Sequence, residues 1–251
     1  MTTRRFEAVI TDIDGCLGPE SAAPLDAPLL AQIADYNTRA KRDRSVASIT
    51  VCSGRPLPYA EAICRLIGND TLPAVCEMGV WLLDLAHHEY IMDPAISTEQ
   101  LEAVRAAQSW IERNLLSRGV LIQPGKTASI SLWHRDTSYL MSLKPELFEK
   151  FQTHAWPLRI SNTVAWINCD LAHVSKSSGI ARFKQRTGLQ RSQLAGIGDT
   201  LGDLAIREHV AFFGVPANAQ DELKAQADYI SPFHETRGVL DILQHIETLS
   251  G

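Results

Sequence analysis

Three short apolar runs of this 251-residue chain end directly in acidic, hydroxyl or glycine residues. The first leads into a D-x-D-G motif at Asp12, the second into S-G-R at Ser53, and the third into G-D-x-x-x-D around Asp199. Helix-length segments with apolar residues at helical spacing separate the runs. Short strands that alternate with helices indicate βαβ units, so we expect a parallel sheet of the α/β class. Such sheets bind ligands at the carboxyl ends of their strands, where all three motifs fall.

The middle of the chain departs from this alternation. A helical pattern over residues 98–118 is followed by two strand-like runs. A short helix near residues 145–153 is likewise followed by two strand-like runs. Helix–strand–strand given twice is typical of a small α+β insert with an antiparallel sheet. We therefore predict a Rossmann-like α/β core from residues 1–83 and 169–251, interrupted by an α+β domain over residues 84–168.

Composition places the chain among ordinary globular proteins. Hydrophobic residues make up 45% and charged residues 21%, which excludes a disordered or fibrous chain. The net charge is −5, and the chain lacks the basic patch that a nucleic-acid partner requires. No apolar stretch reaches the ~18 residues of a membrane span, and the N-terminus is a poor signal peptide. Five cysteines without a C-x-x-C pair indicate neither disulfides nor zinc, so a cytoplasmic location is expected.

The D-x-D-G motif brings two carboxylates close together. Asp12 and Asp14 stand two residues apart at a strand end, where side chains at this spacing point the same way, and Gly15 permits a sharp turn. Adjacent carboxylates repel one another unless a cation is present. The motif fits a catalytic or metal site, although an acidic turn without function has the same sequence.

The other two motifs suit a phosphate and a metal. Ser53 and Gly54 offer a hydroxyl and backbone N–H groups ahead of a helix, an arrangement that binds anions but also occurs in plain turns. Asp199 and Asp203, four residues apart at a helix start, suit an oxygen-preferring ion such as Mg²⁺. The alternative is a helix cap at Asp199 and a solvated carboxylate at Asp203. Lys176, just ahead of a predicted helix, would supply positive charge to such a site.

In combination and order, these pieces resemble the haloacid dehalogenase superfamily of phosphohydrolases. Its members have D-x-D-G near the N-terminus, Ser or Thr after the second strand, a Lys, and an acidic G-D-x-x-x-D. The insert between Ser53 and Lys176 is similar to the C2-type cap subclass, in the α+β form of the Cof-like and sucrose-phosphatase-like members. A G-V-P-A-N segment ending at Asn218 also resembles these proteins, so the resemblance spans nearly the whole chain.

The resemblance implies a Mg²⁺-dependent phosphatase that forms an aspartyl-phosphate. Asp12 would attack phosphorus, and Asp14 would protonate the leaving oxygen and then accept a proton from the hydrolytic water. Ser53, Gly54 and Lys176 would bind the phosphate oxygens. The implied Mg²⁺ ligands are Asp12, Asp14 (through its backbone carbonyl) and Asp199, with Asp203 supporting the ion directly or through water.

The insert would be the cap that closes over the site and selects the substrate. Within it, Lys126 precedes a strand, where its ammonium would meet a substrate carboxylate or hydroxyl, although a solvated turn lysine fits the same sequence. Three positions depart from the family pattern, with Cys16, Met78 and Gly202 where Thr, Asn and Asn are usual. These departures concern positioning and substrate preference rather than the reacting groups.

Two other functions are compatible with the same residues. A related phosphomutase would transfer the phosphoryl group to a second sugar hydroxyl, and a regulator would only accept phosphate on Asp12, as receiver domains do. Receiver domains have no inserted domain, which counts against the regulator. The expected substrate is a small phosphorylated metabolite, either a sugar phosphate or a phosphoglycolate-like acid, and neither nucleic acid nor a membrane is an expected partner.

Overall fold

The structure is a computed structural model that describes residues 5–20 and 22–249. The chain divides into two compact units, the first formed by Met1–Ile91 and Lys176–Gly251 and the second by Met92–Ser175. The predicted insert, residues 84–168, begins and ends earlier than this second unit. The strand that follows residue 84 belongs with the first unit, and the last strand of the second unit continues past residue 168.

The described residues form strands and helices close to the predicted positions. The strands are β1 (Ala8–Thr11), β2 (Ser48–Val51), β3 (Ala74–Cys76), β4 (Trp81–Asp84), β5 (Glu89–Met92), β6 (Leu121–Ile122), β7 (Ser129–Trp133), β8 (Leu158–Asn162), β9 (Trp166–Leu171), β10 (Leu194–Ile197), β11 (Phe212–Val215) and β12 (Tyr229–Ile230). The helices are α1 (Ala27–Asp43), α2 (Leu57–Leu66), α3 (Thr98–Leu115), α4 (Thr137–Ser142), α5 (Lys144–Thr153), α6 (Lys176–Thr187), α7 (Leu204–Arg207), α8 (Asp221–Lys224) and α9 (Glu235–Thr248). Across residues 5–20 and 22–249, no helix combines the length and apolar character needed to cross a membrane.

The first unit is built on a five-stranded sheet in the order β12-β11-β10-β1-β2, with every neighbouring pair parallel. Helices cover both faces, which explains why these strands read as continuous apolar runs. Val9 shares one buried cluster with Ile33 of α1 and Ile242 of α9, whereas Ile10 shares the opposite cluster with Phe183 of α6. The predicted parallel α/β core is confirmed.

The second unit is an antiparallel four-stranded sheet, in the order β6-β7-β9-β8, with helices α3, α4 and α5. Ser97 begins α3 with a capping box, in which its side chain accepts from the backbone of Gln100. Helix α4 was not predicted, because six residues are too few for a helical pattern; Asp136 caps it by accepting from Tyr139 N–H at 2.9 Å. Alternation along β7 and β9 gives this sheet one apolar face and one face that is polar except for Trp133 and Trp166 at its end. The apolar residues are Ile130, Leu132, Ile167 and Cys169, and the polar ones are Ser129, Ser131, Asn168 and Asp170.

Asn37 of α1 closes the outer edge of β2. Its Oδ1 accepts from the backbone N–H of Ile49 at 2.9 Å, and its Nδ2 donates to the carbonyls of Ile49 at 3.2 Å and Ile67 at 2.8 Å. The side chain is buried, so these backbone groups have no access to water. Asn37 therefore supplies the hydrogen bonds that a further strand would make to Ile49, and it ties the end of α2 to the same place.

Asn37→Ala is expected to lower the free energy of unfolding by about 2–4 kcal/mol, because it leaves three buried backbone groups without partners. Urea denaturation followed by circular dichroism measures the loss. Thr38→Ala is the matched control, since the Thr38 hydroxyl is exposed and bonds only to the Ala34 carbonyl of its own helix. That variant should change stability by about 0.5 kcal/mol or less. Similar losses in both variants would contradict the role of Asn37.

Candidate active site

The three sequence motifs follow strands that end side by side at one edge of the core sheet. Thr11, Val51 and Ile197 are register partners in adjacent parallel strands, so the chain leaves β1, β2 and β10 at the same level. The backbone N–H of Asp12 donates to the carbonyl of Ile197 at 3.0 Å, which carries the pairing one residue beyond β1. This edge is the carboxyl end of the sheet, as the sequence predicted.

A buried ammonium joins two of the predicted site residues. Lys176 is the first residue of α6, and its Nζ lies 2.7 Å from Asp12 Oδ2 and 2.7 Å from Asp203 Oδ1. Only 5% of Lys176 is exposed. Burial disfavours the charged ammonium, but attraction to the two carboxylates outweighs burial and holds the pKa of Lys176 well above its usual value. Lys176 therefore carries its charge at neutral pH.

Asp203 is fully buried and organises the loop after β10. Its Oδ2 accepts hydrogen bonds from the backbone N–H of Asp199 at 3.0 Å and of Thr200 at 3.1 Å, and from the Thr200 hydroxyl at 3.3 Å. A single turn of 3₁₀ helix over Leu201–Asp203 folds the carboxylate back onto these donors. The sequence alternative of a solvated Asp203 is therefore wrong, because Asp203 itself accepts the capping bonds.

Asp12, Asp199 and Asp203 form what we term the carboxylate cluster. One oxygen of each lies within 4.8 Å of the other two. Burial raises the pKa of Asp12 to about 7, with Lys176 opposing the rise. Burial, together with the charges of Asp203 and Asp12, raises the pKa of Asp199 to about 8. The negative charge gathered here is more than one ammonium balances.

The carboxylate cluster fits a divalent cation. Its donors are all carboxylate oxygens, the ligands that hard cations such as Mg²⁺ prefer. Asp199 Oδ1 is buried and has no hydrogen-bond partner among residues 5–20 and 22–249. A buried acceptor without a donor is costly, and a bound ion is one recognised reason for such an atom. The excess negative charge, the carboxylate donors and the unpartnered oxygen of Asp199 thus all indicate a cation site.

The loop after Asp12 is held from the far end of the chain. Gly15 has a φ of +73°, and a side chain at this position would overlap the Asp199 carboxylate. Asn218 donates from Nδ2 to the Gly15 carbonyl at 2.8 Å and accepts at Oδ1 from Glu235 N–H at 2.8 Å. Sequence reasoning assigned Asn218 no role, although its position shortly after the end of β11 is the signal that could have found it.

The turn after β2 is fixed by backbone bonds. Ser53 donates its N–H to the Val75 carbonyl at 2.9 Å, and its own carbonyl accepts from Met78 N–H at 3.0 Å. The buried Ser53 hydroxyl oxygen accepts from Arg55 N–H at 3.2 Å. A Cβ at Gly54 would lie 3.3 Å from Met78 Sδ, a tight contact that glycine avoids. Phosphate binding by Ser53 and Gly54 stays a prediction.

Asp14 stands apart from the carboxylate cluster. Strand β1 ends at Thr11 and its pairing with β10 extends to Asp12, so Asp14 lies beyond the strand, and its carboxylate contacts Arg55 instead. Arg55 lies in the S-G-R motif, but sequence reasoning gave it no role. The signal that could have found Arg55 is the negative charge of Asp14, which needs a nearby cation to balance it. A metal contact through the Asp14 backbone carbonyl stays a prediction.

Lys126 belongs to the second unit. Its half-buried ammonium donates to Ser131 Oγ at 2.6 Å, and Ser131 Oγ donates to Asn168 Oδ1 at 2.5 Å. These residues belong to the polar face of the sheet and to the β6–β7 loop beside it. The Lys126 ammonium thus has a hydrogen-bond partner within its own unit, the Ser131 hydroxyl. Contact between Lys126 and a substrate stays a prediction.

A parallel α/β core sheet with a carboxylate cluster at its strand ends, in a chain interrupted by an α+β unit, is the architecture of the haloacid dehalogenase-like fold. The chain belongs to the haloacid dehalogenase-like hydrolase family. The family model matches residues 123–243. A phosphoglycolate phosphatase of Archaeoglobus fulgidus is 35% identical over 249 residues, which cover 97% of this chain and 98% of the relative. The chain is accordingly a phosphatase of this family.

Solved structures share the fold along nearly the whole chain. A Thermoplasma acidophilum protein has a TM-score of 0.72 at 17% identity, covering 96% of this chain and 98% of that one. A Synechocystis sucrose-phosphatase, solved in complex with sucrose and phosphate, has a TM-score of 0.66 at 17% identity, with 97% and 98% covered. The fold class that the sequence predicted is confirmed.

Gly15→Ala is expected to lower phosphatase kcat by ~10²-fold, the order of loss that follows when a reacting group is displaced by ~1 Å. The added methyl group collides with the Asp199 carboxylate, and the residue would also have to adopt a left-handed φ. Gly202→Ala is the matched control, because its Cβ would meet only Thr200 Oγ1 at 3.4 Å. Steady-state kinetics measure kcat for the two variants. Equal activity of the two variants would count against the tight packing of Gly15 on Asp199.

Proposed function

We propose that the protein is a Mg²⁺-dependent phosphatase that hydrolyses a small phosphorylated metabolite through an aspartyl-phosphate on Asp12. The observation that carries the proposal is the buried contact of Lys176 with Asp12 and Asp203, beside the unpartnered oxygen of Asp199. Buried charges are costly to a fold unless they are paired. Gathering them at the carboxyl ends of the strands is expected where a charged substrate binds.

Asp12 is the proposed nucleophile. Its Oδ1 accepts from the backbone N–H of Ile13 at 2.8 Å, and its Oδ2 contacts Lys176. Both oxygens are therefore oriented before a substrate arrives, which lowers the cost of reaching the attacking geometry. One oxygen of Asp12 bonds to phosphorus as the ester P–O bond breaks. Water then attacks phosphorus, the bond to Asp12 breaks, and inorganic phosphate leaves.

Asp14 is the proposed general acid and base. Its proton passes to the ester oxygen as that oxygen leaves, and the resulting carboxylate accepts a proton from the attacking water. The Asp14 carboxyl group lies outside the carboxylate cluster. This separation supports a division of labour in which the cluster binds the cation and Asp14 moves protons.

Lys176, Ser53 and Gly54 are the proposed phosphate ligands. Lys176 contacts the nucleophile, and the two carboxylates beside it hold its pKa well above the usual value, so its charge can neutralise a phosphate oxygen next to the attacking atom. The Ser53 oxygen accepts from Arg55 N–H, which leaves its own O–H available to donate to phosphate. Gly54 follows in the same turn and would offer its backbone N–H.

The carboxylate cluster would hold Mg²⁺, with the Asp14 backbone carbonyl as a further ligand. Bound Mg²⁺ supplies charge neutralisation to phosphoryl transfer. The chain's own contribution is to gather the ligands: Asp203 binds the Asp199 backbone, and Gly15 lets Asp199 approach the Asp12 loop.

For the substrate we favour a small phosphorylated acid of the phosphoglycolate type. The support is the phosphoglycolate phosphatase of Archaeoglobus fulgidus, which aligns with 97% of this chain. A sugar phosphate is the second candidate, supported by the fold shared with a sucrose-phosphatase. We assign the choice between them to the second unit as the cap, because every proposed reacting group belongs to the first unit.

Phosphate release from a panel of phosphorylated acids and sugars, in Mg²⁺ and in excess EDTA, tests this proposal. Asp12→Asn is expected to lower kcat by ~10³-fold or more, because an amide is a far weaker nucleophile than a carboxylate. Circular dichroism should stay unchanged, since the two side chains are nearly isosteric. Full activity in EDTA, or substantial kcat in Asp12→Asn, would refute the mechanism.

The same assays separate the alternatives. A phosphomutase would convert a hexose 1-phosphate into an isomeric sugar phosphate instead of releasing phosphate. A regulator would retain a phosphoryl group on Asp12 without turnover. Either product would replace the proposed hydrolysis.

Lys126→Ala is expected to lower kcat/KM for the best metabolite of the panel by ~10-fold or more, through the loss of a charge-assisted hydrogen bond worth ~1.5–3 kcal/mol. Hydrolysis of 4-nitrophenyl phosphate should stay nearly unchanged. Lys144→Ala is the matched control, because Lys144 is a half-buried lysine of the same unit that bonds to Asn162 at 2.8 Å. Equal losses on both substrates would make Lys126 structural, and no loss would remove it from the substrate site.

A further inference from the structure

Arg55 binds the carboxyl group of Asp14 through two nitrogen atoms. Its Nε lies 2.8 Å from Oδ2 and 3.0 Å from Oδ1, and its Nη2 lies 2.5 Å from Oδ1. A planar guanidinium that meets a carboxyl group in this way fixes both the position and the orientation of the group. A lysine ammonium acts as a point charge and would not fix the orientation.

Arg55 is itself held in place by its neighbours. Its backbone N–H donates to Ser53 Oγ at 3.2 Å, and its guanidinium carbon lies 4.9 Å from the centroid of the Tyr59 ring, within the range of a cation–π contact. The side chains of Arg55 and Asp14 are only 20% and 24% exposed. Solvent therefore screens this pair less than it screens ordinary surface ion pairs.

The Asp14 carboxyl group needs Arg55 to hold its position and orientation. It lies outside the carboxylate cluster, so a cation bound there would not orient it. A general acid has to come within roughly 2.6–3.2 Å of the oxygen that it protonates. A displacement of ~1 Å in an active site can cost ~10²-fold in rate.

We propose that Arg55 is a positioning residue that fixes the Asp14 carboxyl group for proton transfer, and so sets how well the enzyme cleaves esters with poor leaving groups. The inference rests on the proposed function, in which Asp14 is the general acid. As Asp12 bonds to phosphorus and the ester bond breaks, protonated Asp14 gives its proton to the departing oxygen and is left as the carboxylate that the Arg55 guanidinium pairs with. That carboxylate regains its proton from the water that hydrolyses the aspartyl-phosphate. Arg55 neither gains nor loses a proton in this step. Esters of weakly acidic alcohols need that proton, whereas a strongly acidic phenol leaves without it.

Phenyl, 4-nitrophenyl and 2,4-dinitrophenyl phosphate test this role, because all three are aryl esters whose leaving phenols differ widely in acidity. Their kcat/KM values report the breaking of the ester bond, since hydrolysis of the aspartyl-phosphate is common to all three. Arg55→Ala is expected to lower kcat/KM by ~30-fold or more for phenyl phosphate, part of the ~10²–10⁴-fold that a general acid contributes. The loss for 2,4-dinitrophenyl phosphate should stay below about threefold, because little proton transfer is needed there.

Companion variants separate positioning from folding. Asp14→Asn should show the same dependence on leaving group, and adding Arg55→Ala to it should cost almost nothing more, because the two residues act as a unit. Arg55→Lys keeps the charge without the planar fork and should behave like Arg55→Ala. Arg65→Ala is the control, because the Arg65 side chain is 73% exposed on α2, where it pairs with Glu61 at 3.7 Å, and its loss should leave all rates unchanged.

Equal losses on all three esters in Arg55→Ala and Arg55→Lys would overturn the proposal and make Arg55 a substrate-binding or structural residue. Unchanged rates in both variants would overturn it as well. If Asp14→Asn itself shows no dependence on leaving group, the acid role of Asp14 fails and this inference fails with it. The nucleophile is tested independently by Asp12→Asn, so the two failures are distinguishable.

Discussion

The contact of the Lys176 ammonium with Asp12 and Asp203 is the interaction on which the rest of the site depends. Three carboxylates are buried together, and even with Lys176 beside it the pKa of Asp12 rises to about 7. Without this ammonium the cluster would be an uncompensated charge inside the fold. Lys176 begins α6, and Phe183 of the same helix is buried against the core sheet. Packing of one helix therefore fixes the charge around which the chemistry is arranged.

The sequence predicts the core well because parallel strands covered on both faces are short, apolar and separated by helices. It predicts the limits of the second unit less well. The strand β5 follows the predicted boundary directly, and its membership of the β3-β4-β5 sheet depends on pairing that no local pattern contains. Helix α4 escapes for another reason: six residues held by an Asp136 cap give too little periodicity to detect.

The same distinction applies to the site. Asp12, Asp199 and Lys176 could be grouped from sequence because two of them follow strand ends and parallel strands end together. The residues that hold the neighbouring Asp14 and Gly15 could not be found from sequence, since these contacts depend on the path of loops and on side-chain conformation. Arg55 reaches Asp14 across 41 positions, and Asn218 reaches Gly15 across 203. The sequence did contain one signal for Arg55: Asp14 is a carboxylate in a short motif, and no cation was assigned to balance it.

The order of the core strands has a consequence for biosynthesis. Strand β1 pairs on one side with β2, where Ala8 meets Ser48, and on the other with β10, where Ala8 meets Leu194. A chain emerging from the ribosome can complete the first pairing early, but one edge of β1 stays open until the second unit and α6 have been made. That open apolar edge is a hazard for aggregation during synthesis. It also means that Asp12 is translated long before Lys176 and Asp199, so a nascent chain carries the nucleophile without the charges that surround it in the finished protein.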